Sequence, residues 1–162
     1  MSAKFTGIMI SCRHHAHPSL VEANELRMFS DVDYSQPDVR EDVLNWGVWI
    51  TKELGLAGMR IDAVKHISSA FIKDFIDHIN KHCGPDFFIV GENFNHDSKA
   101  LAKYMDEFDD RMYLYDIKLM YNIFDAAEGN KTDLCTIFDD SLVRLRPHRT
   151  MVSTLRHGSA FD

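Results

Sequence analysis

Positive charge is in short supply in this chain. Eighteen Lys and Arg stand against twenty-five Asp and Glu, a net charge of -7. A balance of that sign lacks the basic footprint that nucleic acid or an anionic membrane surface requires. It suits a neutral substrate, such as a sugar, at least as well as any other. Cysteine is sparse too: Cys12, Cys83 and Cys135 are odd in number and widely spaced. They match no zinc or redox spacing, so reduced thiols are expected rather than a disulfide framework. Long apolar runs are missing, with no window near the ~18 residues of a transmembrane helix. The first ten residues lack the apolar run and small-residue cleavage site of a signal peptide, so the expected compartment is the cytoplasm. There is no internal repeat and no low-complexity tract. What remains is an ordinary globular composition, 45% hydrophobic over 162 residues, enough for one core.

The readable pattern begins after residue 27. Pro37 fits the first turn of a helix, and Asp38, Glu41 and Asp42 suit its positive end. Val39, Val43, Trp46, Ile50 and Leu54 recur at helical spacing, and Gly55 is a natural C-cap. The residues 58–64 predict a short strand. A helix follows from Ser68 to about His82, broken by Gly84-Pro85. Phe87–Val90 predicts a second strand, closed by Gly91-Glu92-Asn93. Ser98 can cap a helix through Met105. Met112–Tyr115 predicts a third strand, and helices are expected from Ile117 to Ala127 and from Asp133 to Val143. Strands alternating with helices predict βαβ units and a parallel sheet, and the continuous apolar strands fit a sheet covered on both faces.

Asp62 and Glu92 carry the chemical information. Each lies at or just past the C-terminal end of a predicted parallel strand, the edge where α/β folds do their chemistry. Arg60, two residues before Asp62, points to the same side of its strand and can pair with it. Two carboxylates on neighbouring strands can divide the acid and nucleophile roles of a retaining glycosidase. Spacing alone equally allows a structural Arg60–Asp62 ion pair with Glu92 as a loop acid.

The run Gly58-Met59-Arg60-Ile61-Asp62-Ala63-Val64-Lys65-His66 resembles the second conserved region of the α-amylase family, glycoside hydrolase family 13. Val90-Gly91-Glu92-Asn93 resembles its third region. Asp31 through Val39 is similar to the segment leading into the helix before barrel strand four. The resemblance covers about residues 28–146 and is nearest to intracellular or bacterial liquefying-type amylases. It implies a partial (β/α)8 TIM barrel holding about strands 4–6 with their helices. It divides the chain into a poorly patterned flank (1–27), a section of catalytic barrel (28–146) and a divergent tail (147–162).

The resemblance also implies roles. Asp62 would be the nucleophile, Glu92 the general acid/base and Arg60 the residue that orients both. Arg60 favours the ionised form a nucleophile needs, and the apolar run before Glu92 favours the protonated form an acid needs. Lys65 and His66 would line the sugar cleft on the aglycone side. In calcium-binding relatives the position of Asp31 and the carbonyl at His66 are ligands, so Asp31, Asp33 and His66 form the expected calcium set; oxygen donors suit that hard cation. No organic cofactor is implied. The implied activity is retaining hydrolysis of α-1,4-glucosidic bonds in starch- or glycogen-like glucans. The alternatives are a related α-glucosidase or transglycosylase, or a truncated, non-catalytic fragment.

Two family features have no counterpart in place: the Asp-x-x-x-x-His region after strand three, and the third carboxylate, in an Asn-His-Asp after strand seven. Asn95-His96-Asp97 spells that second motif three residues after Glu92, where a helix-entry turn is expected instead. His14, His15 and His17 read as a solvated tail rather than a metal site. Trp46 and Trp49 read as core residues of their helix rather than sugar platforms, and Tyr113 and Tyr115 as strand residues.

Overall fold

The computed structural model describes residues 32–130 and 133–153. Four strands alternate with helices. They are β1 (Gly58–Ile61), β2 (Phe88–Gly91), β3 (Tyr113–Tyr115) and β4 (Thr150–Met151). All pair in parallel, in the order β1-β2-β3-β4. The helices are α1 (Pro37–Leu54), α2 (Ser69–Cys83), α3 (Ser98–Asp106), α4 (Ile117–Ala127) and the short α5 (Leu142–Leu145). Sequential parallel strands with helical crossovers form an arc of a (β/α)8 barrel.

Register separates the two faces of the sheet. Met59, Ile61, Ile89 and Leu114 turn outward and are buried with Phe71, Phe75, Ile76, Ile79, Leu101 and Met105 of the helices. The opposite face carries the in-register row Arg60, Val90 and Tyr113. A Cβ on Gly58 would lie 2.7 Å from the Phe88 carbonyl oxygen, so glycine there lets Phe88 lie close across the strands. The Phe88 ring in turn packs on Tyr113 at 4.7 Å between centres.

Several sequence expectations change in detail. β1 stops at Ile61 instead of running to Val64, because Ala63 turns left-handed (φ 49°) and residues Val64–His66 form a 3-10 turn. Asp97, not Ser98, caps α3: its carboxylate accepts from the Lys99 and Ala100 amides, and Ser98 is the buried first helical residue. The helix expected over Asp133–Val143 is absent. Asp133 caps a 3-10 turn (Leu134–Thr136) and Asp140 turns left-handed (φ 56°), so only α5 is helical. A single apolar stripe misleads there, since Leu134 and Phe138 are exposed. β4 forms where the sequence has little pattern; two residues are too few for a periodic signal.

The face of α1 also differs. Gly47 and Thr51 are its buried residues, with Val43, Leu44 and Val48 packed beside the core. Trp46 is half-buried, while Trp49 is 55% exposed and so is not a core residue. At ~100° per residue, Trp49 stands nearly opposite Gly47, which faces Phe75 of α2.

Candidate active site

The site is built at the C-terminal edge of the sheet, on the face bearing Arg60. β1 and β2 stay paired beyond their last strand residues. The Glu92 amide donates to the Ile61 carbonyl at 2.9 Å, and the Val64 amide donates to the Glu92 carbonyl at 2.9 Å. Ala63, between them, points its own amide at Glu92 Oε2, 3.4 Å away. Its left-handed backbone costs roughly 1–2 kcal/mol for a residue with a Cβ. The Tyr104 hydroxyl donates to the Val64 carbonyl at 3.2 Å. Burial, reinforced by Glu107, pushes the Tyr104 phenol well above its ordinary range, which keeps it a proton donor to that turn.

Arg60 joins the two acids. Its Nη1 lies 2.7 Å from Asp62 Oδ1, and its Nη2 lies 3.1 Å from Glu92 Oε1. The Asp62 contact is Coulombic rather than aligned: among the described residues, Oδ1 has no hydrogen-bond donor in good geometry. One planar guanidinium touching both acids keeps these oxygens within about 8 Å of each other, inside the span of glycosidase carboxylate pairs. The three side chains are 17–26% exposed, sheltered but open to solvent. Tyr115 lies on the same side, with the Arg60 guanidinium 6.0 Å from its ring centre.

Lys65 and His66 follow on the exposed 3-10 turn, and Lys65 Nζ donates to the Phe94 carbonyl at 3.4 Å. Phe94 belongs to an aromatic group just past Glu92: its ring is 5.7 Å from His96, which is 4.6 Å from Tyr121. The sequence reading missed this group, because Tyr121 arrives from α4. It also missed Tyr115 beside Arg60, although two tyrosines flanking Leu114 on a strand must share a face. Asn95-His96-Asp97 is a helix-entry turn: Asn95 Oδ1 accepts from the Asp97 amide, and Asp97 caps α3. A further acid on this edge, Asp116, is 1% exposed and accepts from the Leu119 and Val143 amides, each at 2.8 Å. It locks the starts of α4 and α5 together and is committed to that task.

Of the expected calcium set, Asp31 lies outside the described residues, as do His14, His15 and His17. Asp33 accepts from the Ser35 amide and hydroxyl through Oδ1 and from Gln36 Nε2 through Oδ2. Among the described residues, no three His, Cys, Asp or Glu side chains converge on a metal position. Among the described residues, Asp33 and the His66 carbonyl are the only members of that expected set, fewer than the ~6–8 oxygens that calcium takes.

A parallel barrel arc with two acids and an arginine at its C-terminal edge defines one section of an α/β barrel, with charged groups gathered where such barrels carry their sites. The comparisons make the family specific. The family model for the α-amylase catalytic domain matches residues 23–155, and the chain belongs to that family, glycoside hydrolase family 13. It is 35% identical over 133 residues to glucan 1,4-α-maltohexaosidase of Bacillus sp. (strain 707), covering 82% of this chain and 26% of that protein. It is 31% identical over 131 residues to the α-amylase of Bacillus licheniformis, covering 80% of this chain and 26% of the relative. The chain thus spans about a quarter of the length of these relatives. Among solved structures, an Anoxybacillus α-amylase aligns with a TM-score of 0.54 at 25% identity, over 59% of this chain and 20% of the other. An α-amylase from Malbranchea cinnamomea aligns with a TM-score of 0.61 at 18% identity, over 80% and 26%, a likeness of fold.

Proposed function

We propose that this chain is the acid-bearing section of a retaining α-1,4-glucan hydrolase. The observation that carries this reading is Arg60, whose two terminal nitrogens reach Asp62 and Glu92 separately. In the proposed reaction Asp62 attacks the anomeric carbon while Glu92 gives its proton to the departing glycosidic oxygen. A covalent glycosyl ester forms on Asp62. Glu92 then takes a proton from water, which attacks the same carbon and releases Asp62, so configuration is retained. Arg60 aims both carboxylates. Lys65 and His66 border the departing sugar from the turn after Asp62.

The substrate class rests on relatives named for α-amylase and maltohexaosidase activity. A cytoplasmic location is part of this proposal, supported by a relative that is the cytoplasmic α-amylase of Escherichia coli, 29% identical over 131 residues. By itself the chain is proposed to be a poor catalyst, because no third carboxylate occupies its family position and the strands described form only part of a barrel.

The test is a chimaera in which residues 23–155 replace the matching section of the Bacillus maltohexaosidase. Reducing-sugar release from starch is expected. It should drop by roughly 10³-fold or more in Asp62→Asn and in Glu92→Gln. A folded, active chimaera indifferent to both substitutions would overturn the assignment.

A further inference from the structure

The second cluster of chemistry-bearing side chains lies on α2, away from the carboxylates. His78 and His82 are four residues apart, which puts them one above the other on the same flank of the helix. Their ring centres are 4.5 Å apart, with the planes tilted by 46°. That separation is informative. An ion bound ~2.0–2.1 Å from one nitrogen of each ring requires ring centres roughly 4.5 Å apart at a bond angle of about 90° and roughly 5.2 Å apart at the tetrahedral angle, so the observed spacing matches the smaller angle. Two histidines at this helical spacing are also the pair that zinc enzymes present from a single helix.

We propose that His78 and His82 form a two-histidine site for a borderline divalent metal ion, such as zinc(II) or nickel(II), on the flank of α2. Imidazole nitrogens suit these ions and are poor ligands for calcium or magnesium. The remaining coordination positions would be held by water, because no third His, Cys, Asp or Glu joins the pair among the described residues. His82 is exposed and His78 half-buried, so an ion can reach both from solvent. Burial, then the neighbouring His82 and Lys81, lowers the His78 pKa and favours the neutral, ligating ring. Lys81 opposes a cation here, while the nearby Asp74 and Asp77 are already paired with Arg40 and Arg111. The site is therefore expected to be modest in affinity. It is independent of the hydrolase reading.

The test is calorimetric titration of the 162-residue chain with nickel(II) chloride and with zinc(II) chloride. It is done in a His14→Gln, His15→Gln, His17→Gln background, which removes the only other dense histidine group in the sequence. Saturable binding of one ion per chain is expected, tighter for nickel than for zinc on the usual order for a nitrogen site. His82→Gln, at an exposed position, should weaken it by about tenfold or more, as loss of a direct ligand must exceed the effect of losing an outer partner. Circular dichroism of His82→Gln should be unchanged. Absence of saturable binding in the background variant, or binding that survives His82→Gln at full strength, would overturn the proposal.

Discussion

The Glu92 carbonyl accepts a hydrogen bond from the Val64 amide at 2.9 Å, two residues beyond Asp62. With the Glu92 amide bonded to the Ile61 carbonyl, β1 and β2 remain stitched together past their ends. The distance between the two acids is therefore set by backbone ladders as well as by Arg60. Flexible side chains on free loops would lose more of their orientation to thermal motion; here the turn is fixed before the side chains are placed.

Arg60→Leu is expected to destabilise the fold by about 1–3 kcal/mol, because it leaves two sheltered carboxylates facing each other without their cation; the figure sits below that of a fully buried pair because all three groups are partly exposed. Urea unfolding at neutral pH checks it. An unchanged midpoint would mean that solvent alone accommodates both charges.

Gly58→Ala should be more damaging than Gly91→Ala. A Cβ at 58 meets the Phe88 carbonyl oxygen at 2.7 Å, a backbone atom that cannot rotate away. A Cβ at 91 meets the Met112 sulfur at 2.8 Å, the flexible part of a long side chain. Losses of about 2–3 and about 1 kcal/mol are expected in denaturant melts, and the reverse order would contradict the proposed packing.

The isolated 162-residue chain should release little or no reducing sugar from starch. Losing one group that stabilises the transition state can remove about 10²–10³ in rate, and here that group has no recognised counterpart and the barrel is partial. β1 and β4 each have one unpaired edge in the described sheet, so size-exclusion chromatography should show self-association. Robust activity abolished by Asp62→Asn would show instead that the chain assembles a complete site.

Calcium should bind weakly. Calorimetry is expected to give no sub-micromolar component, since Asp33 and one carbonyl supply few of the ~6–8 oxygens that calcium takes. A tight, one-to-one isotherm lost in Asp33→Asn would establish a full oxygen cage around it.

His78 should give stability a pH dependence. Its folded pKa lies below the ordinary 6.5, so the unfolded chain takes up the proton first. Its contribution is complete above about pH 6.5 and is lost as the pH falls below that value. Urea midpoints at pH 7.5 and 5.5 should therefore differ less in His78→Gln than in the parent chain.

The sequence by itself determined the alternation of strands and helices and the placement of Asp62 and Glu92 at strand ends. Short continuous apolar runs and period-3.6 patterns, with Pro and Gly as punctuation, are local signals, and the run from Gly58 to His66 is long enough to carry the family resemblance. Asn95-His96-Asp97 was legible as a helix entry for the same reason, since a cap acts on amides two and three residues away. Only the tertiary structure decided which groups meet. Arg60 on β1 reaching Glu92 at the end of β2, Tyr115 lying beside Arg60, and His96 meeting Tyr121 depend on strand register and helix docking. Trp49 and Phe138 make the same point in reverse: an apolar residue at helical spacing shows that a face exists, but what covers that face is set by neighbours distant in sequence. β4 needed the fold most of all, because a two-residue strand is defined by its hydrogen bonds to β3 and not by any pattern of its own.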